Sequence, residues 1–492
     1  MDLLPSAVLT FLVASVIRFI YEFLFVKTPK NFPPGPRPLP LIGNLHIINL
    51  KRPYLTLMEL SKTYGSVFSI QMGRKKMVVL SGYETVKNAL VNRAEEFGER
   101  AHVPILEKLD KGNGLLFSHG ENWKTMRRFT ITTLRDFGMG KKTIEDRILD
   151  ECDHLVLRFQ AFQGKPFHNS GILNAAIGNI IVSIALGHRL DYEDPVFLKL
   201  LRIIEENVRL AGTPMISVYN MYPGLIGLLP GSHKTMLKNL AELNAFLTET
   251  FVDYLKDLDV DHKRSYIDAF FAKQKEEENN PDSYFYDKNL LSLMRNLFAA
   301  GTETTSSTIC WGFLLMIKHP EIQEKVQDEI ERVIGTLQPK YSHRSEMPYT
   351  NAVLHEIQRF ANILPMSLPH ETAKDVEFMG YFIPKGTHVV PLLASVLYDE
   401  TQFAEPHKFN PQHFLDSDGN FLKRDAFMPF SAGWRACAGE NLAKMELFLF
   451  FTSLLQKFTF QKPPGVQTVD LTPAVGFTTP PIPQEICAIP RF

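Results

Sequence analysis

The chain has 492 residues, 45% of them hydrophobic and 22% charged. It is too long for a miniprotein held by disulfides and too apolar for wholesale disorder; it can hold one very large core or roughly two to four ordinary domains. With 53 Lys+Arg against 54 Asp+Glu the net charge is −1, which gives no reason to expect nucleic acid as a partner.

Residues 3–26 read LLPSAVLTFLVASVIRFIYEFLFV. Helical, 24 residues reach roughly 36 Å, enough for a bilayer core of about 30 Å. Arg18 and Glu22 are four apart and can pair toward one membrane face. The start Met1-Asp2 lacks the basic residues of a signal peptide, whereas Lys27, Lys30 and Arg37 follow the span. The expectation is an uncleaved anchor with the bulk of the protein on the cytosolic side; a surface helix and a cleaved signal peptide are the alternatives. Residues 27–44 hold Pro33, Pro34, Pro36, Pro38 and Pro40 and read as a semi-rigid linker. Residues 45–492 follow as the main domain.

Helical spacing then dominates, at Pro53–Tyr64, 83–94 and 145–162, with strand-like runs at Val67–Met72, 76–80 and His388–Pro391. A mainly α fold with small β-sheets is expected. The segment 210–229 is apolar and rich in Gly and Pro. Residues 288–319 read as one long buried helix stopped by Pro320. Within it, Ala300-Gly301-Thr302-Glu303-Thr304-Thr305 places a glycine, an acid and hydroxyls where they are locally unfavourable. Such departures collect where function needs them; the competing reading is that Thr304 bonds back one turn and bends the helix. In the helix 349–360, Glu356 and Arg359 share a face. His355-Glu356 is not a zinc motif, because Arg359 stands where a second histidine is required.

The four cysteines, Cys152, Cys310, Cys437 and Cys487, form no CxxC, and no N-x-S/T site occurs. A reducing, cytosol-facing location fits this sparse usage. Cys152, Cys310 and Cys487 read as small buried hydrophobes. Cys437 differs: it lies in FMPFSAGWRACAGENLA, a glycine-punctuated loop that opens directly into an apolar helix, 441–458. A thiolate near a helix N-terminus is stabilised and can ligate a soft metal centre.

Phe430-x-x-Gly433-x-Arg435-x-Cys437-x-Gly439 resembles the haem-ligand signature of the cytochromes P-450. Glu356-x-x-Arg359, Ala300-Gly301-x-Glu303-Thr304, Trp123-x-x-x-Arg127 and the proline-rich linker resemble further motifs of that family in the family's order. So does Phe409-Asn410-Pro411-Gln412-His413-Phe414, with His413 where many relatives carry Arg. The resemblance runs from about Pro33 to the C-terminus and points to the animal microsomal branch that oxidises drugs, steroids and fatty acids.

It implies a fold with a long central helix over haem b. Cys437 would be the axial ligand to iron, with Phe430 and Gly439 beside it. Trp123, Arg127, His370 and Arg435, with Arg100, would hold the haem propionates. Thr304 would hydrogen-bond the oxygen being activated and Glu303 would relay protons, while Glu356 and Arg359 would lock the loop 406–414. Leu116, Phe117, Phe298, Ala300, Leu364, Leu368 and Phe477 would line an apolar substrate pocket, each with plain core packing as its alternative. The segment 210–229 would roof that pocket and dip into membrane lipid.

No GxGxxG marks a flavin or nicotinamide site. Electrons are therefore expected from outside the chain; the resemblance implies NADPH as their source through the membrane NADPH–haemoprotein reductase, aided by cytochrome b5. Lys124, Arg128 and Lys444 are candidate docking residues, and Trp434 departs from the basic residue common there. The implied place is the endoplasmic reticulum membrane, catalytic domain toward the cytosol. Two other readings remain: a reductase-independent isomerase or dehydratase of lipid hydroperoxides, and a non-catalytic haem-binding sensor or carrier.

Overall fold

Why Arg100 and His370 meet, and where the cysteine loop sits, follows from how one small sheet meets a large body of helices. The computed structural model describes residues 3–24, 28–137, 142–256 and 264–491. The sheet strands are β1 (Val67–Met72), β2 (Lys75–Leu80), β3 (Glu99–Arg100), β4 (His370–Glu371) and β5 (His388–Pro391), in the order β1-β2-β5-β4-β3. Alternation gives each strand two apolar faces. Val67, Val78, Leu80 and Val389 face one buried cluster; Phe68, Ile70, Val79 and Val390 face another. The short strand β4 sets His370 opposite Arg100 on one side and opposite Val389 on the other.

The helical body is organised around the central helix Asp287–Lys318, about 48 Å long at 1.5 Å per residue. It packs against Ser170–Leu186, Pro348–Ala361 and Glu440–Lys457. Ser170–Leu186 and Glu440–Lys457 are buried on nearly every side, as expected for helices apolar all round. Small residues allow the close crossings. A Cβ at Gly312 would stand 3.3 Å from both Ile357 and Phe451, and one at Gly301 would stand 2.4 Å from Ile181. The architecture is mainly helical with small sheets, as the sequence predicts.

Several elements depart from the sequence reading. The helix predicted over 83–94 is three pieces: Tyr83–Lys87, a π-turn at Asn88–Asn92, and Ala94–Phe97. The distortion lies where Gly433 presses on the Leu90 carbonyl. A Cβ on Gly433 would fall 1.7 Å from that oxygen, and Gly433 has φ of 73°, so only glycine fits there. The linker, expected to be semi-rigid, runs along β1 over its described part. The Ser69 N–H donates to the Pro34 carbonyl at 2.7 Å, and Asn44 Nδ2 donates to the Pro36 and Arg37 carbonyls, which fastens it along β1. Lys27 lies outside the described residues.

The segment expected to be an anchor is a helix, Leu3–Leu24. Among the described residues, no helix is long and apolar enough to cross a membrane. Phe11, Val13, Val16 and Ile17 on it are nonetheless exposed. The Glu22 side chain, half of the expected pair with Arg18, lies outside the described residues.

Candidate active site around Cys437

The cysteine loop turns through Gly433–Arg435 and enters Glu440–Lys457 within three residues of Cys437. The Cys437 N–H donates to the Phe430 carbonyl at 3.0 Å, and Arg127 Nη2 donates to the Ala436 carbonyl at 2.7 Å. Both fix the direction in which the sulfur points. The side chain has exposed surface, yet burial is the leading cause that lifts its thiol pKa, opposed by the Gly439 N–H and by Arg127. Surface exposure together with strong desolvation describes a sulfur facing an internal space rather than bulk water. Ala300 tells the same story, being exposed midway along a central helix that is otherwise largely buried.

Around this space stands an unusual concentration of positive charge. Arg100 and Arg435 are buried, and Arg127 is half-buried. Arg435 lies over the Trp123 ring with its guanidinium carbon 3.7 Å from the centroid, a cation–π contact. Its Nε donates to Gly98 O, and its Nη2 donates to Ser118 O and Glu99 Oε1 at 3.0 Å. Arg100 donates to the Leu116 and Leu368 carbonyls. Burial, then Arg435 and Arg127, pushes the Arg100 pKa well down, with Glu99 opposing. Burial likewise lowers Arg435 to about 10. One carboxylate, Glu99, pairs with Arg435 and acts on Arg100.

Two buried polar atoms in this cluster have no hydrogen-bond partner, Arg435 Nη1 and His370 Nε2. The other His370 nitrogen is held by the Phe97 carbonyl at 2.7 Å. Buried polar atoms without partners are costly. Arg435 Nη1 is an orphaned donor, whereas His370, whose Nδ1–H is given to Phe97, presents Nε2 as a lone pair; the excess of guanidinium charge over carboxylate asks for an anionic ligand. Haem b, with two propionates, fits the donor set, and Cys437 offers the thiol for its iron.

The oxygen-side residues are arranged less simply. Thr304 Oγ1 donates to the Ala300 carbonyl at 2.7 Å, the back-bond weighed as the alternative. Glu303 is buried; its Oε1 accepts from Thr478 at 2.7 Å and Ser307 at 3.0 Å, while its Oε2 has no partner. Burial pushes its carboxyl pKa up against those two bonds.

Among the expected pocket residues, Leu116, Phe117, Leu364, Leu368 and Phe477 are half-buried. They are tied together through the backbone. Arg100 joins Leu116 to Leu368, Asn296 Oδ1 accepts from the Leu115 and Leu116 N–H groups at 2.8 and 3.1 Å, and the Phe477 N–H donates to Val208 O. Phe298 is different. It is 2% exposed within the main helical core, and two residues along a helix place it about 200° from Ala300; core packing describes it.

Glu356 and Arg359 are fully buried and bidentate, with both N···O distances 2.7 Å. Arg359 also donates to the Leu397, Pro406 and Lys408 carbonyls, and Glu356 accepts from the Asn410 N–H. His413 joins by contacting Glu356 at 3.1 Å and bonding the Ala404 carbonyl. The pair therefore holds the loop 404–413.

Sequence reasoning did not single out Glu99, Asn296, Thr478 or Glu446. The last is a buried acid that accepts from Thr305 at 3.2 Å. An asparagine and a glutamate inside otherwise apolar helices were the readable signals for Asn296 and Glu446; Thr478 carried none.

Comparison with known proteins follows the same line. The family model described as Cytochrome P450 matches residues 33–488. The chain is 51% identical over 463 residues to Cytochrome P450 2K4 of Oncorhynchus mykiss, covering 93% of this chain and 92% of the relative. It is 49% identical over 462 residues to Cytochrome P450 2C5 of Oryctolagus cuniculus, covering 94% of each, and 48% identical to Cytochrome P450 2C11 of Rattus norvegicus, covering 94% and 92%.

Proposed function

Because the chain belongs to the cytochrome P450 family, and is thereby a haem-thiolate monooxygenase, we propose that it oxidises lipophilic small molecules at the endoplasmic reticulum membrane with electrons from NADPH. The observation that carries this reading is the buried arginine cluster, with Arg435 Nη1 left without a partner, beside the cysteine loop.

In this reading Arg100, Arg127, Arg435 and His370 hold the propionates, with Trp123 under Arg435, and Cys437 is the axial ligand. When bound, haem supplies the oxygen activation and the electron-rich thiolate favours O–O cleavage. The chain's own residues do the rest. Phe430 and Gly439 place backbone groups around the sulfur. Thr304 can exchange its back-bond to Ala300 for a bond to substrate-side oxygen, at little cost because the hydroxyl can rotate. Glu303, whose carboxyl pKa burial raises, is placed one residue away to hold and pass on a proton. Leu116, Phe117, Ala300, Leu364, Leu368 and Phe477 present apolar surface, which favours lipophilic substrates such as xenobiotics, steroids or fatty acids.

The reductase, with cytochrome b5 as second donor, would dock on the face bearing Lys124, Arg128 and Lys444. Lys124 and Lys444 already pair with Glu121 and Glu440, and Trp434 there is 50% exposed, so docking should rely less on charge than three cations imply. Membrane association is supported by exposed Leu225, Leu228, Leu229, Leu39, Leu41 and Ile42; Tyr222 joins these segments by donating to the Leu41 carbonyl. Residues 3–26 as anchor, 27–44 as linker and 45–492 as catalytic domain complete the proposal.

The test is reconstitution with reductase, NADPH and oxygen. One oxygen atom should enter product and the other water, for each NADPH consumed. Thr304→Ala should lower product per NADPH severalfold while NADPH oxidation continues; unchanged coupling would contradict the role of Thr304.

A further inference from the structure

A cluster of histidines and carboxylates adjoins the haem site through Glu99. His119 Nδ1 lies 3.0 Å from Glu99 Oε1. Glu99 is a carboxylate held at about 2, burial being outweighed by His119, the Arg100 N–H and Arg435. A carboxylate can only accept, so in neutral His119 the proton sits on Nδ1 and Nε2 presents a lone pair. That Nε2 is buried without a hydrogen-bond partner, and it stands 3.5 Å from Glu107 Oε1. In that neutral form two lone-pair groups face each other; a proton on Nε2, which Glu99 and Glu107 favour, bridges them, and a metal ion would take that proton's place.

His102 completes the group. Its Nδ1 is 2.7 Å from the same Glu107 oxygen, and its Nε2 is 3.8 Å from Glu371 Oε1. If the His102 proton moves to Nε2, toward Glu371, Nδ1 also becomes a ligand. Glu99 stands behind His119 at hydrogen-bond distance, whereas Glu371, 3.8 Å from His102 Nε2, has to be met by the turning of that ring. A carboxylate behind the ring is the arrangement that orients histidines on a metal.

We propose that His102, Glu107 and His119 form a binding site for a divalent metal of the zinc type, oriented by Glu99 and Glu371. Two nitrogens and one carboxylate oxygen, with water as the fourth ligand, suit tetrahedral Zn²⁺. The ligand atoms lie within 4.8 Å of one another. One rearrangement is needed. The two rings are stacked at 4.2 Å and 17°, so their lone pairs do not converge until His102 turns. Its side chain is 58% exposed, which leaves solvent-side room for that turn.

The holoenzyme would be titrated with Zn²⁺ against a competing chelator, with zinc-edge X-ray absorption on the complex. The expected result is one equivalent per chain, with two imidazole ligands at about 2.0–2.1 Å. His119→Asn and Glu107→Gln should each weaken binding by at least about 100-fold, and Glu99→Gln by about 10–100-fold. Should His119→Asn fail to fold, His102→Ala on the exposed side carries the same expectation. Unchanged affinity in these variants, or absorption lacking imidazole scattering, would overturn the site. The red-shifted absorption of the reduced carbon monoxide complex, measured alongside, keeps failure of this site distinct from failure of the haem assignment.

Discussion

Glu446 shows how one buried side chain can set a pH response. Burial pushes its carboxyl up to about 8 from an ordinary 4.5, against the Thr305 hydroxyl. Between those values the unfolded chain releases a proton that the folded chain keeps, so stability falls as pH rises, by up to about 1.4 kcal/mol per unit. Above about 8 both states are ionised and the loss stops growing. Glu446→Gln should therefore flatten the decline of the thermal midpoint between pH 5 and 8; a parallel decline in the variant would refute the assignment. Glu356 and Arg359 make a second residue-scale prediction. Removing one partner of a fully buried pair leaves the other charge unpaired, at about 3–5 kcal/mol. Glu356→Ala should lower the thermal midpoint sharply and reduce haem-loaded yield, and a midpoint equal to wild type would contradict the locking role.

At the scale of elements, the central helix works as a rail on which other segments hang. Asn289 and Asn296 accept from the backbone of Gly114, Leu115 and Leu116, and Glu303 holds Thr478. Thr478→Val keeps the shape but removes the bond. Such a bond is worth about 1 kcal/mol, enough to change the ratio of products from one substrate about fivefold if Phe477 moves with its neighbour. An unchanged ratio would place Phe477 outside substrate contact. These ties also explain what could be read in advance. The central helix, the cysteine loop and the Glu356–Arg359 pair are local patterns, carried by periodicity, glycine punctuation and a spacing of three. Glu303 and Thr478 are 175 residues apart, and Arg435 and Glu99 are 336 apart; no period records such contacts. The π-turn at Asn88–Asn92 was hidden for the same reason, since the backbone it lies against, at Gly433, is far along the chain.

For the molecule as a whole, the sheet and the helical body meet at the arginine cluster. Strands β3 and β4 deliver Arg100 and His370, the helix Gly120–Asp136 delivers Trp123 and Arg127, and the cysteine loop delivers Arg435 and Cys437. The exposed leucines at 225, 228 and 229 lie on a separate apolar surface. Burying one leucine in lipid is worth about 1.5–3 kcal/mol, so Leu228→Asp in a protein lacking residues 1–28 should weaken vesicle binding at least about tenfold; equal binding would remove that surface from the membrane contact. The account as a whole rests on sulfur ligation by Cys437, and the carbon monoxide spectrum of the reduced holoenzyme reads that bond directly. Intact protein should show the red-shifted band of thiolate-ligated haem, and Cys437→His should lose it while retaining haem. A wild-type spectrum like that of a nitrogen-ligated haem, in freshly prepared protein, would contradict the account.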